Sequence, residues 1–325
     1  LIATLVAKQR VSERPILLVP QTFIWSKQAG TATPGLLDLL FGPVQWPGRV
    51  RVFFQFLLNY RDAKLRSGEP FNLKDFVEKN PGLSDTEAAD KVRYALLRRM
   101  ERDRAVIIGP MKKTTARIQD EILRSPRVRD QITQFAEEKG LPYSRAENIA
   151  RKQLRKLCAK QSLFVIDLMH RFLTWTWSRM YDGVVLDKEG LERVRDAARD
   201  ASIILLPSHK SHIDYLVLSD QLYANAMMAP LIAAGENLSF WPIGVLLRRG
   251  GAFFIRRSFH GDSLYPVIVE AYVRKLIAEG FSIEFFLEGG RSRTGKALPP
   301  KYGLLSMVVD SATKLHSTKV KLVPI

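Results

Sequence analysis

The sequence has very little cysteine and no long run of uncharged apolar residues. Cys158 is the single cysteine among 325 residues. This excludes a disulfide framework and a CxxC zinc site, and it fits a reducing compartment. No segment approaches the roughly 18 apolar residues that a transmembrane helix needs, and no signal peptide opens the chain. The chain starts at Leu1 rather than Met, so we expect native sequence to be missing at one or both ends.

Acidic residues are also scarce relative to basic ones. Asp and Glu number 33 against 50 Lys and Arg, which gives a formal net charge of +17. Such an excess attracts polyanions, whether nucleic acid, an anionic membrane or phosphorylated substrates. Charge alone does not choose among these partners, nor between them and a merely solvated basic surface.

Residues 1–182 are predicted to form a mainly helical N-terminal domain. The segments Ser84–Glu87 and Ser144–Glu147 have capping-box spacing, and basic residues at helical spacing follow both. The segment 162–181 (SLFVIDLMHRFLTWTWSRMY) is apolar, contains two tryptophans and has basic residues on both sides. It suits either an amphipathic helix lying in a membrane interface or a buried helix that packs one domain on another.

Residues 183–325 alternate short apolar runs with helical patterns, which predicts an α/β domain. We expect a mixed central sheet flanked by helices, truncated at its C-terminal end because the last run stops at Ile325. In such sheets, ligands bind where strands end and loops begin, and every polar cluster below falls there. The predicted strands are GVVL (183–186), SIILLP, APLIAAG, GAFFIRR, SIEFFLEGG and VKLVPI.

The run LLPSHKSHIDYLVLS (205–219) places His209 and Asp214 between two apolar segments. Five positions on a continuous helix correspond to about 140° around the axis, so the pair makes more sense across a strand-to-helix turn. There the carboxylate can orient the imidazole, which can take a proton from a hydroxyl. The alternative is that both side chains only cap the turn and the helix. Ser211 lacks the GxSxG elbow of an acyl-enzyme nucleophile, and His209 with His212 lacks a third zinc ligand.

Two further clusters place cations at strand ends. GGAFFIRRSF ends in Arg256 and Arg257, and adjacent strand residues point to opposite faces, so at most one points into a given pocket unless the strand ends there. EFFLEGGRSRTGK (284–296) contains a Gly-Gly turn that lets the backbone approach a ligand closely. It is not a Walker loop, yet it has the donors of an anion-binding turn; the alternative is a basic surface loop. Its polar and glycine positions are Glu288, Gly289, Gly290, Arg291, Ser292, Arg293 and Lys296.

Together, HKSHID, GAFFIRR, FLEGGRSRTGK and VKLVPI stand in the order of the four motifs of glycerol-3-phosphate acyltransferases. The sequence most resembles the membrane-associated PlsB type of bacteria. LLVPQTFIW near the start and the Trp-bearing segment 162–181 are further points of similarity. The four motifs span residues 208–325.

The resemblance implies a glycerolipid acyltransferase fold and transfer of a fatty acyl group from acyl-CoA or acyl carrier protein. The acceptor would be the sn-1 hydroxyl of glycerol 3-phosphate, and the product lysophosphatidic acid, at the first step of phospholipid synthesis. His209 would be the general base, oriented by Asp214, with no acyl-enzyme, metal or cofactor. The implied phosphate-binding residues are Arg256, Arg257, Arg291 and Arg293. The implied pocket-shaping residues are Ser211, Glu288, Gly289, Gly290, Ser292 and Pro324.

The partners implied are glycerol 3-phosphate, the acyl donor and an anionic membrane surface, with a peripheral location at the cytoplasmic face of the bacterial inner membrane. Dihydroxyacetone phosphate is the alternative acceptor, because it also offers a phosphate and a primary hydroxyl. A protein of another class, which binds lipid or nucleic acid without catalysis, is the remaining alternative. A nucleic-acid binder should interleave basic and aromatic residues on one element, whereas the aromatics here lie in apolar runs.

Overall fold

The computed structural model describes residues 1–25, 63–110, 113–211, 213–259, 261–315 and 318–325. These residues form two compact units, the first ending at Ile108 and the second beginning at Gly109. Within the described ranges, no helix is both long enough and apolar enough to cross a membrane.

The described part of the N-terminal unit contains three helices and two strand pairs. Its elements are α1 (Ile2–Val11), β1 (Leu17–Leu18), β2 (Gln21–Trp25), β3 (Ala63–Ser67), β4 (Phe71–Asn72), α2 (Leu73–Lys79) and α3 (Asp85–Ile108). Strand β1 pairs with β4, and β2 with β3, both antiparallel. Side chains of all three helices meet in a small core around Val6, Leu73 and Val92.

The capping box predicted at Ser84 and Glu87 is confirmed at the start of α3. Ser84 Oγ accepts a hydrogen bond from the N–H of Glu87 at 3.3 Å, and Glu87 Oε2 accepts one from the N–H of Ser84 at 3.0 Å. Two backbone donors that the first helical turn leaves without partners are thereby satisfied.

The second unit begins with the helices α4 (Thr115–Leu123), α5 (Pro126–Lys139), α6 (Tyr143–Leu157) and α7 (Leu163–Met180). The first three of these share the core of the sheet. Leu154 and Leu157 of α6 lie in the same buried cluster as Ile204 of the sheet. The boundary predicted after residue 182 therefore falls inside this unit, and a separate catalytic domain over 183–325 stays a prediction.

The sheet of the second unit and its helices follow. In chain order these elements are α8 (Lys188–Ala198), β5 (Ala201–Leu206), α9 (Asp214–Ala224), β6 (Leu231–Gly235), α10 (Ile243–Gly250), β7 (Ala252–Ile255), α11 (Leu264–Ala278), β8 (Ile283–Glu284), α12 (Tyr302–Lys314) and β9 (Lys319–Pro324). The five described strands lie in the order β7-β6-β8-β5-β9.

The α/β class is confirmed, but the sheet is parallel rather than mixed. Every pairing among its five described strands is parallel. The reason is that a helix follows each strand up to the last and returns the chain to the same edge, which gives each new strand the same direction. Parallel sheets are covered on both faces, which explains why the strands are nearly continuous apolar runs.

Two predictions of local structure are wrong. Residues 183–186 (GVVL) form no strand; Val185 is fully exposed and the segment pairs with no described strand. The capping box at Ser144 does not form either. Pro142 takes the N-cap position of α6, so the helix begins before Ser144 and the serine lies inside its first turn.

The two faces of the sheet have different roles. In the central strand and its extension, Ile283 and Phe285 belong to the apolar core formed with α5, α6 and α11. Glu284 and Phe286 alternate with them and so lie on the other side. There Phe286 lines a cavity of about 400 Å³ whose walls also come from α7, α9, α10 and β6.

Candidate active site

The turn between β5 and α9 holds the first predicted pair. Strand β5 ends at Leu206, His209 follows in the loop, and Asp214 is the first residue of α9. Asp214 Oδ2 accepts hydrogen bonds from the N–H groups of Lys210 and Ser211, both at 2.7 Å, and the Ser211 hydroxyl donates to Oδ1. The predicted strand-to-helix turn is therefore present, with a carboxylate at a helix N-terminus, where the helix dipole favours it.

Asp214 is held in its ionised form. Burial alone raises the pKa of a carboxyl, but hydrogen bonds from Ser211 and Lys210 and the nearby charge of His209 outweigh it, and the pKa of Asp214 falls below its ordinary value. An ionised carboxylate beside the imidazole is the electrostatic requirement for stabilising an imidazolium.

Glu288 joins the His209 loop to the Gly-Gly turn. Its Oε1 accepts from the N–H of His209 at 3.1 Å and its Oε2 from the N–H of Leu298 at 3.0 Å. These hydrogen bonds, that of Leu298 first, lower the pKa of Glu288. A second link runs the other way, because the N–H of Ser292 donates to the carbonyl of His209 at 2.9 Å. The two loops are thus fixed to one another at His209.

The imidazole of His209 lies flat against Phe286, with ring centroids 4.0 Å apart and planes inclined by 25°. Both rings line the cavity. An apolar ring on one side limits the orientations open to the imidazole. The stacking therefore helps to fix the direction in which His209 presents its ring to a ligand.

Three of the four predicted arginines line the same cavity as His209: Arg257, Arg291 and Arg293. Within the described part of the chain, none of the three forms an ion pair with a carboxylate. Three guanidinium groups without acidic partners next to an imidazole make this end of the cavity strongly attractive to a phosphate.

Arg256 has a different environment from the other three. Its Nη1 lies 2.7 Å from Asp262 Oδ2, and its guanidinium stacks over the ring of Tyr265 at 4.2 Å. It is absent from the cavity wall. Arg256 and Arg257 diverge because consecutive residues of an extended segment point in opposite directions, and of the two only Arg257 lines the cavity that His209 lines.

The remaining predicted positions shape the walls. Gly289 and Gly290 line the cavity. Gly289 has φ +58°, and a Cβ there would lie 2.8 Å from Lys301 Cδ, so the turn requires glycine. Ser211, Glu288 and Ser292 act through the loop contacts above, and Pro324 lies in register with Leu206 at the end of β5.

A large part of the cavity wall is apolar, and beside it lies a second His–Asp pair that the sequence analysis missed. His170 Nδ1 lies 2.6 Å from Asp220 Oδ1, and Trp177 Nε1–H donates to Asp220 Oδ2 at 3.2 Å. A histidine inside the apolar segment 162–181 was a visible signal, but its partner fifty residues away was not. The apolar residues here include Ile166, Met169, Leu173, Leu216, Ile232 and Leu247.

Glu284 is the second group that the sequence analysis missed. It is fully buried, and neither carboxyl oxygen has a hydrogen-bond partner among the described residues. Burial, and then the charge of Asp214, raise the pKa of Glu284 to about 8. An acid inside the apolar run SIEFF was a signal of a polar environment on the face of the sheet that this residue occupies.

No metal centre is evident in the part of the chain that the structure describes, since no three His, Cys, Asp or Glu side chains cluster there as ligands. His212 lies outside the described residues.

Comparison with known proteins matches both parts of the chain. Residues 1–109 match the family profile described as the glycerol-3-phosphate acyltransferase PlsB N-terminal domain, and residues 185–325 match that described as acyltransferase. Glycerol-3-phosphate acyltransferases of Pseudoalteromonas translucida and Shewanella denitrificans are 33% and 35% identical over 314 and 311 residues. These alignments cover 96% and 95% of this chain and 38% of each relative. The chain therefore spans well under half the length of the curated relatives it matches.

Proposed function

Because the chain belongs to the PlsB-type glycerol-3-phosphate acyltransferase family, we propose that the protein transfers a fatty acyl group from a thioester donor to the sn-1 hydroxyl of glycerol 3-phosphate. The observation that carries the proposal is the shared cavity, in which His209 and three guanidinium groups without acidic partners meet. A substrate with a phosphate at one end and a hydroxyl at the other needs this pair of features.

His209 is the general base of the proposed reaction. Its ring takes the proton of the sn-1 hydroxyl while that oxygen attacks the thioester carbonyl carbon. A C–O bond forms, the C–S bond breaks, and the imidazolium returns the proton to the departing thiolate. Asp214, which is ionised, stabilises the imidazolium between these two transfers.

The transfer is direct, without an acyl-enzyme. Ser211 lies in the His209 loop, and it donates its hydrogen to Asp214 while its oxygen accepts from the N–H of Ile213 at 3.2 Å. A hydroxyl used in this way ties the turn together and is not oriented as a nucleophile toward the cavity.

The acceptor phosphate is bound by Arg257, Arg291 and Arg293. Charge-assisted hydrogen bonds from guanidinium groups are about twice as strong as neutral ones. With about two negative charges, the phosphate balances most of the positive charge that the three side chains bring to this end of the cavity.

We also place the peripheral membrane contact on α7. Phe164, Leu168, Phe172 and Trp175 are each more than half exposed, and at 3.6 residues per turn they fall within about 80° of arc. Arg179 stacks over Trp175 at 5.7 Å and adds a positive charge to this stripe. Aromatic and basic residues on one helix face suit the surface of an anionic bilayer, here the cytoplasmic face of the bacterial inner membrane.

The test of the reaction uses the intact protein in detergent micelles, labelled acyl-CoA, and either glycerol 3-phosphate or dihydroxyacetone phosphate. We expect acylation of glycerol 3-phosphate, and loss of turnover in His209→Ala without change in circular dichroism or thermal midpoint. Near-normal turnover in that variant contradicts the assignment of the base. Preference for dihydroxyacetone phosphate identifies the alternative acceptor.

The membrane contact has its own test. Phe172→Glu and Trp175→Glu should each reduce co-sedimentation with vesicles that contain anionic lipid, because each puts a negative charge on the stripe. Tyr94→Glu, which changes an exposed aromatic residue of the N-terminal unit, serves as the matched control. Equal loss in all three variants would count against a contact specific to α7.

A further inference from the structure

The second His–Asp pair lies in the wall of the cavity, on helices that pack against each other. Of the His170 side chain 28% is exposed, whereas only 2% of the Asp220 side chain is. Because a carboxylate only accepts hydrogen bonds, the short contact to Asp220 assigns a hydrogen to His170 Nδ1. The hydrogen bond of His170 to a described residue is made through Nδ1, which leaves Nε2 for a ligand, and the residue lines the cavity.

A second polar atom lies beside this pair. Ser219, the residue before Asp220 on α9, also lines the cavity, and its hydroxyl is buried without a hydrogen-bond partner in the described part of the chain. Asp220 itself is satisfied by His170 and Trp177. The wall therefore offers an incoming molecule one acceptor, His170 Nε2 in its neutral form, and one hydroxyl donor.

These two atoms restrict what can occupy this part of the cavity. Covering them with an alkyl chain leaves both without hydrogen bonds, which costs roughly 1–3 kcal/mol for each. A polar group framed by methylenes fits better, because the surrounding wall is apolar. An amide is the simplest such group, since it supplies one N–H donor and one carbonyl acceptor.

The position of Ser219 and Asp220 along α9 suits binding of the acyl donor rather than of the acceptor, glycerol 3-phosphate. Asp220 is six residues beyond Asp214, or about 9 Å of helix rise away from the catalytic turn. Arg291 and Arg293 flank Ser292, whose N–H donates to the carbonyl of His209 at 2.9 Å, so these two cavity-lining arginines start from the His209 loop. In the proposed complex, the phosphate and hydroxyls of glycerol 3-phosphate bind near His209 and these arginines, and the molecule carries no amide.

We propose that His170 and Ser219 bind an amide of the donor's pantetheine arm, with Asp220 as the positioning residue that fixes the His170 ring. This rests on the proposed acyl transfer and adds the donor subsite to it. Both donor types considered above, acyl-CoA and acyl carrier protein, present their thioester on this arm, in which amides alternate with methylene groups. His170 Nε2 accepts the amide N–H, and the Ser219 hydroxyl donates to the amide carbonyl.

The experiment measures the steady-state kinetics of the intact protein with acyl-CoA and with an S-ethyl thioester of the same acyl chain, which has no amide. We expect His170→Phe and Ser219→Ala each to raise the KM for acyl-CoA about tenfold, with the KM for glycerol 3-phosphate unchanged. Neither variant should change the KM for the amide-free donor. Ser178→Ala, which removes an exposed hydroxyl from α7, is the matched control.

Asp220→Asn should raise the KM for acyl-CoA while kcat at saturating donor stays near that of the wild type, because the change reaches the donor only through His170. A fall in kcat with an unchanged KM would assign Asp220 a purely structural role and overturn its place in the proposal. Equal effects of His170→Phe on both donors, or a changed acyl-chain-length preference alone, would show that the alkyl chain occupies this wall, and would also overturn it.

A direct measurement of coenzyme A binding tests the donor subsite independently of the proposed acyl transfer. Calorimetry with free coenzyme A should give a Kd about tenfold higher for His170→Phe than for the wild type, whether or not turnover is detected. Binding that is the same in both proteins overturns the subsite. Absence of acyl transfer from a protein whose coenzyme A binding depends on His170 overturns the proposed reaction and leaves the subsite intact.

Discussion

Two His–Asp pairs border one cavity, and the chain builds them in different ways. His209 and Asp214 come from a single turn, and the carboxylate is held mainly by the backbone N–H groups of that turn. His170 and Asp220 come from two helices, and their carboxylate is held by side chains alone. The first pair depends on local chain geometry, whereas the second depends on how α7 packs against α9.

The difference also separates their chemistry. His209 shares the cavity with three guanidinium groups, and in the proposed reaction its ring exchanges a proton with the bound hydroxyl. The packed pair lies among apolar side chains, and its carboxylate is almost fully buried. We therefore assign proton transfer to the first pair and recognition to the second, and the predictions below test that division.

The largest expected effect is a difference in kcat between Asp214→Asn and Asp220→Asn. Loss of the Asp214 charge removes the stabilisation of the imidazolium, so kcat should fall by about 10²- to 10⁴-fold. Asp220→Asn should leave kcat within about threefold, because no proton passes through it. Steady-state kinetics at saturating donor and acceptor measure both values. Equal losses would mean that the two pairs act as one catalytic unit.

The next effect compares two neighbouring arginines. In the proposed function Arg257 binds the acceptor phosphate, so Arg257→Ala should raise the KM for glycerol 3-phosphate by about 10- to 100-fold, as expected for a lost hydrogen bond to a charged group. Arg256→Ala removes an ion pair with Asp262 whose side chains are 32% and 20% exposed, so it should leave that KM unchanged and lower the stability by about 1 kcal/mol. The opposite ranking would return the phosphate role to Arg256.

Two features of the site that depend on short stretches of chain could be predicted from the sequence. The strand-to-helix turn at Asp214 and the Gly-Gly turn at Gly289 follow from local rules of chain geometry, and both are present. The choice between Arg256 and Arg257 was open in the sequence, because it depends on where β7 ends relative to the cavity. The His170–Asp220 contact and the parallel sheet depend on packing between distant segments, for which a single sequence carries no pairing information.

A smaller effect is expected in the pH dependence of stability, because the charge of Asp214 acts on Glu284 in the sheet. The pKa of Glu284 is raised to about 8 from an ordinary value of 4.5, by burial and by Asp214. Between pH 4.5 and 8 the unfolded chain releases this proton and the folded protein keeps it. Stability therefore falls as the pH rises through this window, by about 1.4 kcal/mol per pH unit for this group.

Glu284→Gln cannot ionise, so its stability relative to the wild type should increase by that amount for each pH unit from 5 to 7. Urea unfolding at pH 5, 6 and 7 gives the comparison. Tyr215, whose own pKa is raised by burial and by Glu284, stays protonated throughout this range and does not obscure the result. Parallel curves for the two proteins would show that Glu284 is already ionised in the folded state.

The smallest expected effect tests whether capping-box spacing alone predicts a helix cap. It compares two serines that each lie three residues before a glutamate. Ser84 caps α3 and exchanges hydrogen bonds with Glu87, so Ser84→Ala should destabilise the protein by about 1 kcal/mol. Ser144 lies inside α6, where Pro142 is the N-cap, and alanine is the better helix former at such a position. Ser144→Ala should therefore be neutral or slightly stabilising in urea unfolding. A loss at Ser144 equal to that at Ser84 would mean that spacing alone decides where a helix is capped, and that the neighbouring proline does not.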